Sequence, residues 1–358
     1  MNASVPRARR SNTLSSSLGL GEKLFASSDE RRFAEAIEQG LEAVEQGLLE
    51  EMSFADEIAD VTSRYLLDAG GKRVRPVLTL LTAQLGEGNN DDVIAAAQIV
   101  EITHLASLYH DDVMDEAQMR RGVPSAQSVW GNSVAILTGD LLFARASKIG
   151  AGLGERVLTL QAATFERLCL GQLHETIGPR ADEDPIEHYI QVLADKTGSL
   201  ISAAAQVGVI FSNAPDQYRE PVQIFGEKIG VAFQLIDDVI DLAAGINDTG
   251  KTPGTDLRSG VATLPLLYLR RLAKTDPDAD NLLRRIERDV TSAFYGEADE
   301  ADLTVAIAEL RAHPVTAQTL AEAHRWSREA VEALAALPEG PVQNALTRFA
   351  ETIVERSN

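Results

Sequence analysis

The chain offers almost no sulfur chemistry. Cys169 is its only cysteine, which excludes an internal disulfide and any thiolate metal site and fits a reducing, cytoplasmic setting. Basic residues are in short supply, 33 Lys and Arg against 54 Asp and Glu, for a formal net charge of -21. That balance disfavours nucleic acid or an anionic membrane surface as a partner, since both need a basic face. No apolar run is long enough to span a bilayer, so no stable membrane insertion is expected. No stretch shows sustained two-residue alternation, which argues against a sheet. No fixed short repeat is present, which argues against a solenoid. No low-complexity linker divides residues 25–358, so one large all-helical domain is the simplest organisation. Residues 1–24 carry Arg7, Arg9, Arg10 and many serines without an apolar signal core. They read as a disordered tail.

Apolar residues make up 44% of the 358 residues, ample for a large core. Their spacing is helical. Phe33, Ile37, Leu41, Val44 and Leu48 recur at intervals of three and four. A second helix runs from Ser53 or Phe54 to the Gly70–Gly71 pair, and Pro76 stands in the first turn of the apolar helix that follows. Asp91 is the expected cap of the next helix, which Gly122 and Pro124 end. Further helices are expected at 132–153, 155–177, 185–211 and 215–242. Beyond a Gly/Pro/Asp-rich loop at 245–260, more follow at 263–273, 279–294, 301–312, 315–336 and 341–356.

Chemistry concentrates in the stretch 101–124. Asp111 and Asp115 lie four residues apart, on one helical face, with Asp112 beside them. Carboxylates that close repel one another unless a cation sits between them. The cluster is set among apolar residues, where unpaired aspartates are costly to bury. The same internal spacing returns in Asp237, Asp238 and Asp241. Two such clusters facing one another would hold hard divalent ions, and magnesium, which takes carboxylates plus substrate phosphates, is the natural one. No His/Cys arrangement has zinc spacing. His104 and His110 lie six apart, off the spacing of paired helical ligands, and His110 reads as a packed histidine. Basic residues gather near both clusters. Lys72 and Arg75 precede a helix start, Arg120 and Arg121 follow Asp115, Lys196-Thr197-Gly198 interrupts a long helix, and Lys251 lies in the loop after the second cluster. In so acidic a chain this grouping suggests a clamp for an anionic, phosphate-rich substrate.

The segments GGKRVRP at 70–76, HLASLYHDDVMDEAQMRRGVPS at 104–125, GDLLFARA at 139–146, KTGSL at 196–200, FQLIDDVID at 233–241 and GTDLRSGVATLP at 254–265 resemble those of the trans-isoprenyl diphosphate synthases, or polyprenyl synthetases. They stand in that family's order and roughly its spacing, over most of the chain from residue 30 on. The resemblance implies an all-helical bundle around a deep central cavity, and a homodimer. It implies that Asp111, Asp115 and Asp237, with Asp112, Asp238 and Asp241 in support, hold two or three magnesium ions on an allylic diphosphate. Arg120, Lys196, Thr197, Gln234 and Lys251 would contact that diphosphate. Lys72, Arg75, His104 and Arg121 would bind isopentenyl diphosphate. Asp111, Asp115, Asp237, Arg120 and Lys196 would carry the catalysis. In one departure, Val261 stands where the family often has lysine, and Lys251 and Arg258 are the candidates to compensate.

The implied reaction is a head-to-tail condensation. The allylic diphosphate ionises, the double bond of isopentenyl diphosphate attacks the cation, and proton loss leaves a chain one isoprene unit longer. No protein nucleophile is needed, and Cys169 is expected in the core. Product length is expected to depend on Ala106 and Ser107, about one turn below Asp111. Short-chain members place a bulky aromatic there, and some carry a two-residue insertion in the first cluster that this chain lacks. Small side chains leave a passage open, which favours a long all-trans product in the heptaprenyl to nonaprenyl range used for quinone tails. Geranylgeranyl diphosphate synthesis is the alternative if a floor lies further down. A terpene cyclase would carry a different second metal motif, and a non-catalytic subunit of a heteromeric synthase typically loses one aspartate cluster. A generic acidic scaffold leaves the neighbouring basic residues unexplained.

Overall fold

Asp56 ends the loop after the first helix by accepting the Ala59 N–H at 2.9 Å, a cap that starts the second helix. The structure, a computed structural model, describes residues 28–243, 253–294 and 300–355. The expected tail at 1–24 and the expected contact Lys251 lie outside them. The elements run α1 (Ser28–Glu51), α2 (Glu57–Asp68), α3 (Val74–Ala83), α4 (Asp91–Met114), β1 (Met119–Arg120), β2 (Val123–Pro124), α5 (Ala126–Trp130), α6 (Asn132–Leu153), α7 (Glu155–Ile177) and α8 (Pro185–Leu193). A π-turn (Ala194–Gly198) leads to α9 (Ser199–Phe211). A 3-10 turn (Asp216–Tyr218) precedes α10 (Arg219–Ala243), followed by α11 (Thr255–Arg258), α12 (Leu264–Leu272), α13 (Pro277–Phe294), α14 (Glu300–Ala312), α15 (Pro314–Ala333) and, after a 3-10 turn (Leu334–Ala336), α16 (Pro341–Glu355).

The fold is all-α, as expected, with local corrections. The cap of α4 is Asn90, whose side chain accepts the Val93 N–H at 2.9 Å, and Asp91 is already the first helical residue. The same helix stops at Met114, earlier than Gly122. Arg121 and Gly122, both at positive φ, then turn a two-residue hairpin in which Met119 pairs with Pro124 and Arg120 with Val123. The second helix opens at Glu57, a turn later than expected. Cys169 is exposed on α7 rather than buried, because this stretch of the helix turns Leu170 and Leu173 outward as well.

The described residues fall into two compact units. The first takes 28–165, 200–226 and 334–349. Within it α4 packs along α6, and Gly139 makes that approach possible. A Cβ there would stand 2.3 Å from His110 Nε2 and 3.1 Å from the Ala106 carbonyl. Tyr109, fully buried, ties α4 to α2 by donating to Thr62 O at 2.5 Å and accepting the Leu66 N–H at 3.2 Å. Thr79 of α3 donates to Ala204 O of α9 at 2.8 Å. The second unit takes 166–199, 227–333 and 350–355 of the described chain. Its core joins Leu242, Leu257, Leu269, Ile286, Leu303 and Ile307, one or two from each of five helices.

Candidate active site

In the first unit the site grows from the turn between α2 and α3. Gly70 and Gly71 take φ of 98° and 154°, and a Cβ on Gly71 would meet Arg73 Nη1 at 2.6 Å and Arg121 Nη2 at 3.0 Å. Two guanidinium groups therefore approach the backbone more closely than a side chain at this position would allow. Arg73, itself at φ 52°, pairs with Glu45 and, at 3.3 Å, with Glu101; Arg73 and Glu101 are almost fully buried. Arg121 donates to the carbonyls of Leu66, at 2.8 Å, and of Gly70. Arg75 Nε is buried and has no hydrogen-bond partner. Burial, aided by the Arg121 guanidinium and opposed by Glu101, pulls Arg75 down to about 10. Burial also presses His104 well below its usual range, and the guanidinium groups of Arg75, Arg121, Arg120 and Arg73 add to that pressure. The result is a neutral histidine beside a concentrated positive field, inside a chain of strongly negative total charge. Lys72 is exposed at the rim of the same turn.

The first aspartate cluster ends the helix that carries His104. Asp111 is half-buried, Asp115 is exposed at the helix C-terminus, and Asp112 is fully buried. Arg120 Nε donates to Asp112 Oδ1 at 2.6 Å, so the hairpin brings its arginine back onto the cluster. Asp112 Oδ2 is buried without a partner. Burial raises the Asp112 pKa against the pull of Arg120. Below the cluster, Ala106 and Ser107 are buried, and Ser107 Oγ donates to His104 O at 2.9 Å. A small apolar cavity of about 20 Å³ lies further along α4, at Thr103, Val100 and Ile99, closed by Leu160 and Gln161 of α7 and Ala203 of α9.

In the second unit α10 carries the second cluster. Asp237 and Asp241 are half-buried and Asp238 is buried. Tyr189 of α8 donates to Asp238 Oδ2 at 2.7 Å, while Oδ1 is buried without a well-formed hydrogen bond and the Leu264 N–H faces the carboxylate. Burial pushes Asp238 up to about 8; the Tyr189 hydrogen bond opposes this, and the charges of Asp256 and Asp237 add to it. Asp241 accepts the N–H groups of Thr255 and Asp256, each at 3.2 Å, and so caps α11. Gln234 stands one turn before Asp238, half-buried. Lys196 and Thr197 occupy the π-turn, a geometry common at functional sites, and Lys196 Nζ pairs with Glu175. Val261 is exposed and its N–H donates to Asp256 O at 2.9 Å. Arg258 donates to Pro253 O at 3.0 Å and to Thr304 Oγ1 at 3.3 Å.

Both clusters offer carboxylate oxygens alone, and each holds one buried oxygen without a well-formed hydrogen bond. That donor set fits a hard divalent cation. Among the described residues no three acidic or histidine side chains already converge as a metal cage. Arg75, Arg120 and Arg121 lie around His104, and Arg120 and Arg121 also act on Asp112 of the first cluster; Lys196 pairs with Glu175, while Tyr189 holds Asp238 of the second. Sequence reasoning passed over Arg73, Glu101, Tyr189, Glu175 and Arg167. A charged Glu101 in the middle of an apolar helix was the available signal for the first pair; nothing local marked the others.

Comparison with known proteins gives one answer. The family profile described as polyprenyl synthetase matches residues 56–295. A nonaprenyl diphosphate synthase of Mycobacterium tuberculosis is 42% identical over 325 residues, covering 90% of this chain and 94% of that protein. The crystal structure of a polyprenyl synthase from Caulobacter crescentus, complexed with calcium and isoprenyl diphosphate, is 30% identical at a TM-score of 0.81, covering 92% of this chain and 98% of that one. A geranylgeranyl pyrophosphate synthase structure from Corynebacterium glutamicum is 39% identical at a TM-score of 0.76, covering 90% and 96%.

Proposed function

The chain belongs to the polyprenyl synthetase family, and from that membership we propose how its residues divide one reaction. It is a trans-prenyltransferase that joins isopentenyl diphosphate head to tail to an allylic diphosphate and makes a long polyprenyl diphosphate. Asp111, Asp112 and Asp115, and likewise Asp237, Asp238 and Asp241, would hold magnesium, two or three ions in all. When bound, magnesium supplies positive charge where negative charge builds on the departing diphosphate. Lys196, Thr197, Gln234, Lys251 and Arg120 fix the allylic diphosphate. Lys72, Arg75 and Arg121 receive the diphosphate of isopentenyl diphosphate, and neutral His104 offers it an N–H. Arg121 is held by the Leu66 and Gly70 carbonyls, so its fork is placed before substrate arrives. Ala106 and Ser107 set room for the growing tail.

The observation that carries this reading is the buried, unpartnered Arg75 Nε beside Arg121 and His104. A desolvated donor, with two further guanidinium groups near and Glu101 already paired to Arg73, is a site prepared for an anion. Among the described residues no helix is long and apolar enough to cross a membrane, and a cytoplasmic homodimer with quinone-tail synthesis as its role completes the proposal. The test is a timed incubation with labelled isopentenyl diphosphate, allylic primers and magnesium, followed by chromatography of the dephosphorylated products. Magnesium-dependent growth of a polyprenyl ladder is expected. Asp111→Ala and Asp237→Ala should each cut turnover roughly 100-fold or more. Near-normal rates in both variants would remove the metal-held diphosphate from the mechanism.

A further inference from the structure

The π-turn that presents Lys196 and Thr197 is held by a side chain with no assigned role. Arg167 of α7 donates from Nε to Asp195 Oδ1 at 2.7 Å and from Nη1 to Glu227 Oε2 at 2.8 Å, and Nη2 lies 3.5 Å from Ala194 O. Asp195 is buried and fully engaged. Gln191 Nε2 donates to its other carboxylate oxygen at 2.8 Å, and Ser199 Oγ donates to its carbonyl at 2.5 Å. Ala194 O also accepts the Ser199 N–H that closes the wide turn. Glycines let the three segments meet. A Cβ on Gly171 of α7 would lie 2.9 Å from the Lys196 nitrogen, and one on Gly230 of α10 would lie 2.6 Å from Gly198 Cα.

A wide turn inside a helix is not self-supporting, because it leaves one residue out of the regular hydrogen-bond ladder. Its register here is set from outside, by a guanidinium whose fixed fork reads one carboxylate on the turn and another on α10. Glu227 lies on the same helix as Asp237, Asp238 and Asp241. We infer that Arg167 is a positioning residue that fixes Lys196 and Thr197 in register with the second aspartate cluster, and so governs affinity for the allylic diphosphate without touching it.

The inference rests on the allylic role proposed for Lys196, and the experiment separates the two. Full-length wild type, Arg167→Met, Arg167→Lys, Glu227→Gln and Lys196→Ala are compared. Arg167→Met keeps an apolar stem but loses the fork. It should raise KM for the allylic diphosphate about tenfold, leave KM for isopentenyl diphosphate within about twofold, and change kcat less than KM. Glu227→Gln should do the same in smaller measure, and Arg167→Lys should recover part of the loss. Amide exchange in the protein without substrate supplies a readout free of activity. Residues 195–199 should exchange at least about tenfold faster in Arg167→Met while α12 keeps its protection. Equal rises in both KM values, or unchanged exchange at the turn, would overturn the inference. Allylic affinity lost in Lys196→Ala but kept in Arg167→Met would overturn it alone. An unaffected Lys196→Ala would overturn the allylic assignment and the inference with it.

Discussion

His104 shows how much one side chain is changed by its neighbours. The residue is half-buried, and desolvation together with four surrounding arginines holds its pKa well below 6.5. The folded chain therefore binds a proton at this position less readily than the unfolded chain does. Stability from this group is fully present above about pH 6.5 and is lost as pH falls below it towards the folded value. Denaturant midpoints taken at pH 7.5 and 5.5 should drop for wild type more than for His104→Gln. A drop of equal size in both would show that the acid sensitivity lies elsewhere. The same cations are the groups that the proposed diphosphate role of Arg75 and Arg121 would call on.

At the scale of elements, α4 does most of the organising. It ties to α2 through Tyr109, carries His104 and Glu101 on the arginine side, and ends in the first aspartate cluster. Ala106 is fully buried and Ser107 nearly so, about 6–7.5 Å below Asp111 at the helical rise. Ala106→Phe and Ser107→Phe should each shorten the product ladder while condensation continues, with about 1–3 kcal/mol lost to overpacking. A ladder unchanged in both variants would mean the tail does not pass this point. The helices themselves were legible because their apolar spacing repeats and their ends are marked. Asn132–Leu153 and Glu155–Ile177 have the ends that the pattern predicts. The hairpin at 119–124 was not, since two-residue strands have no period to detect. The π-turn was visible only as an interruption at Lys196, because its width depends on Arg167 and on glycines far away in sequence. Asn90 and Asp91 are both good caps by type, and geometry alone chose between them. The candidate site residues stood out as charged groups in apolar settings and through repeated motifs. Their partners were not, because Arg73 with Glu45 and Tyr189 with Asp238 meet only once the chain is folded.

At the scale of the whole molecule, charge and apolar surface pull in opposite directions. A net charge of -21 makes two copies repel, and the repulsion is long-ranged at low ionic strength. Yet Ile136 and Leu137 stand 41% and 65% exposed on α6. Ile136 and Leu137 are consecutive on the helix, and large apolar side chains left together in water favour a contact surface. If a second copy covers them, association is driven by apolar burial and opposed by charge, so added salt should strengthen it. Light scattering should then give about twice 38.6 kDa for wild type, with the dimer holding to lower protein concentration at 0.3 M salt than at 0.03 M, since screening shortens the repulsion. Leu137→Glu inserts a charge into the same patch and should yield single chains under conditions where wild type is paired. A wild type that runs as single chains at every concentration and salt would remove the homodimer. A Leu137→Glu variant that stays paired would place the contact on a different face.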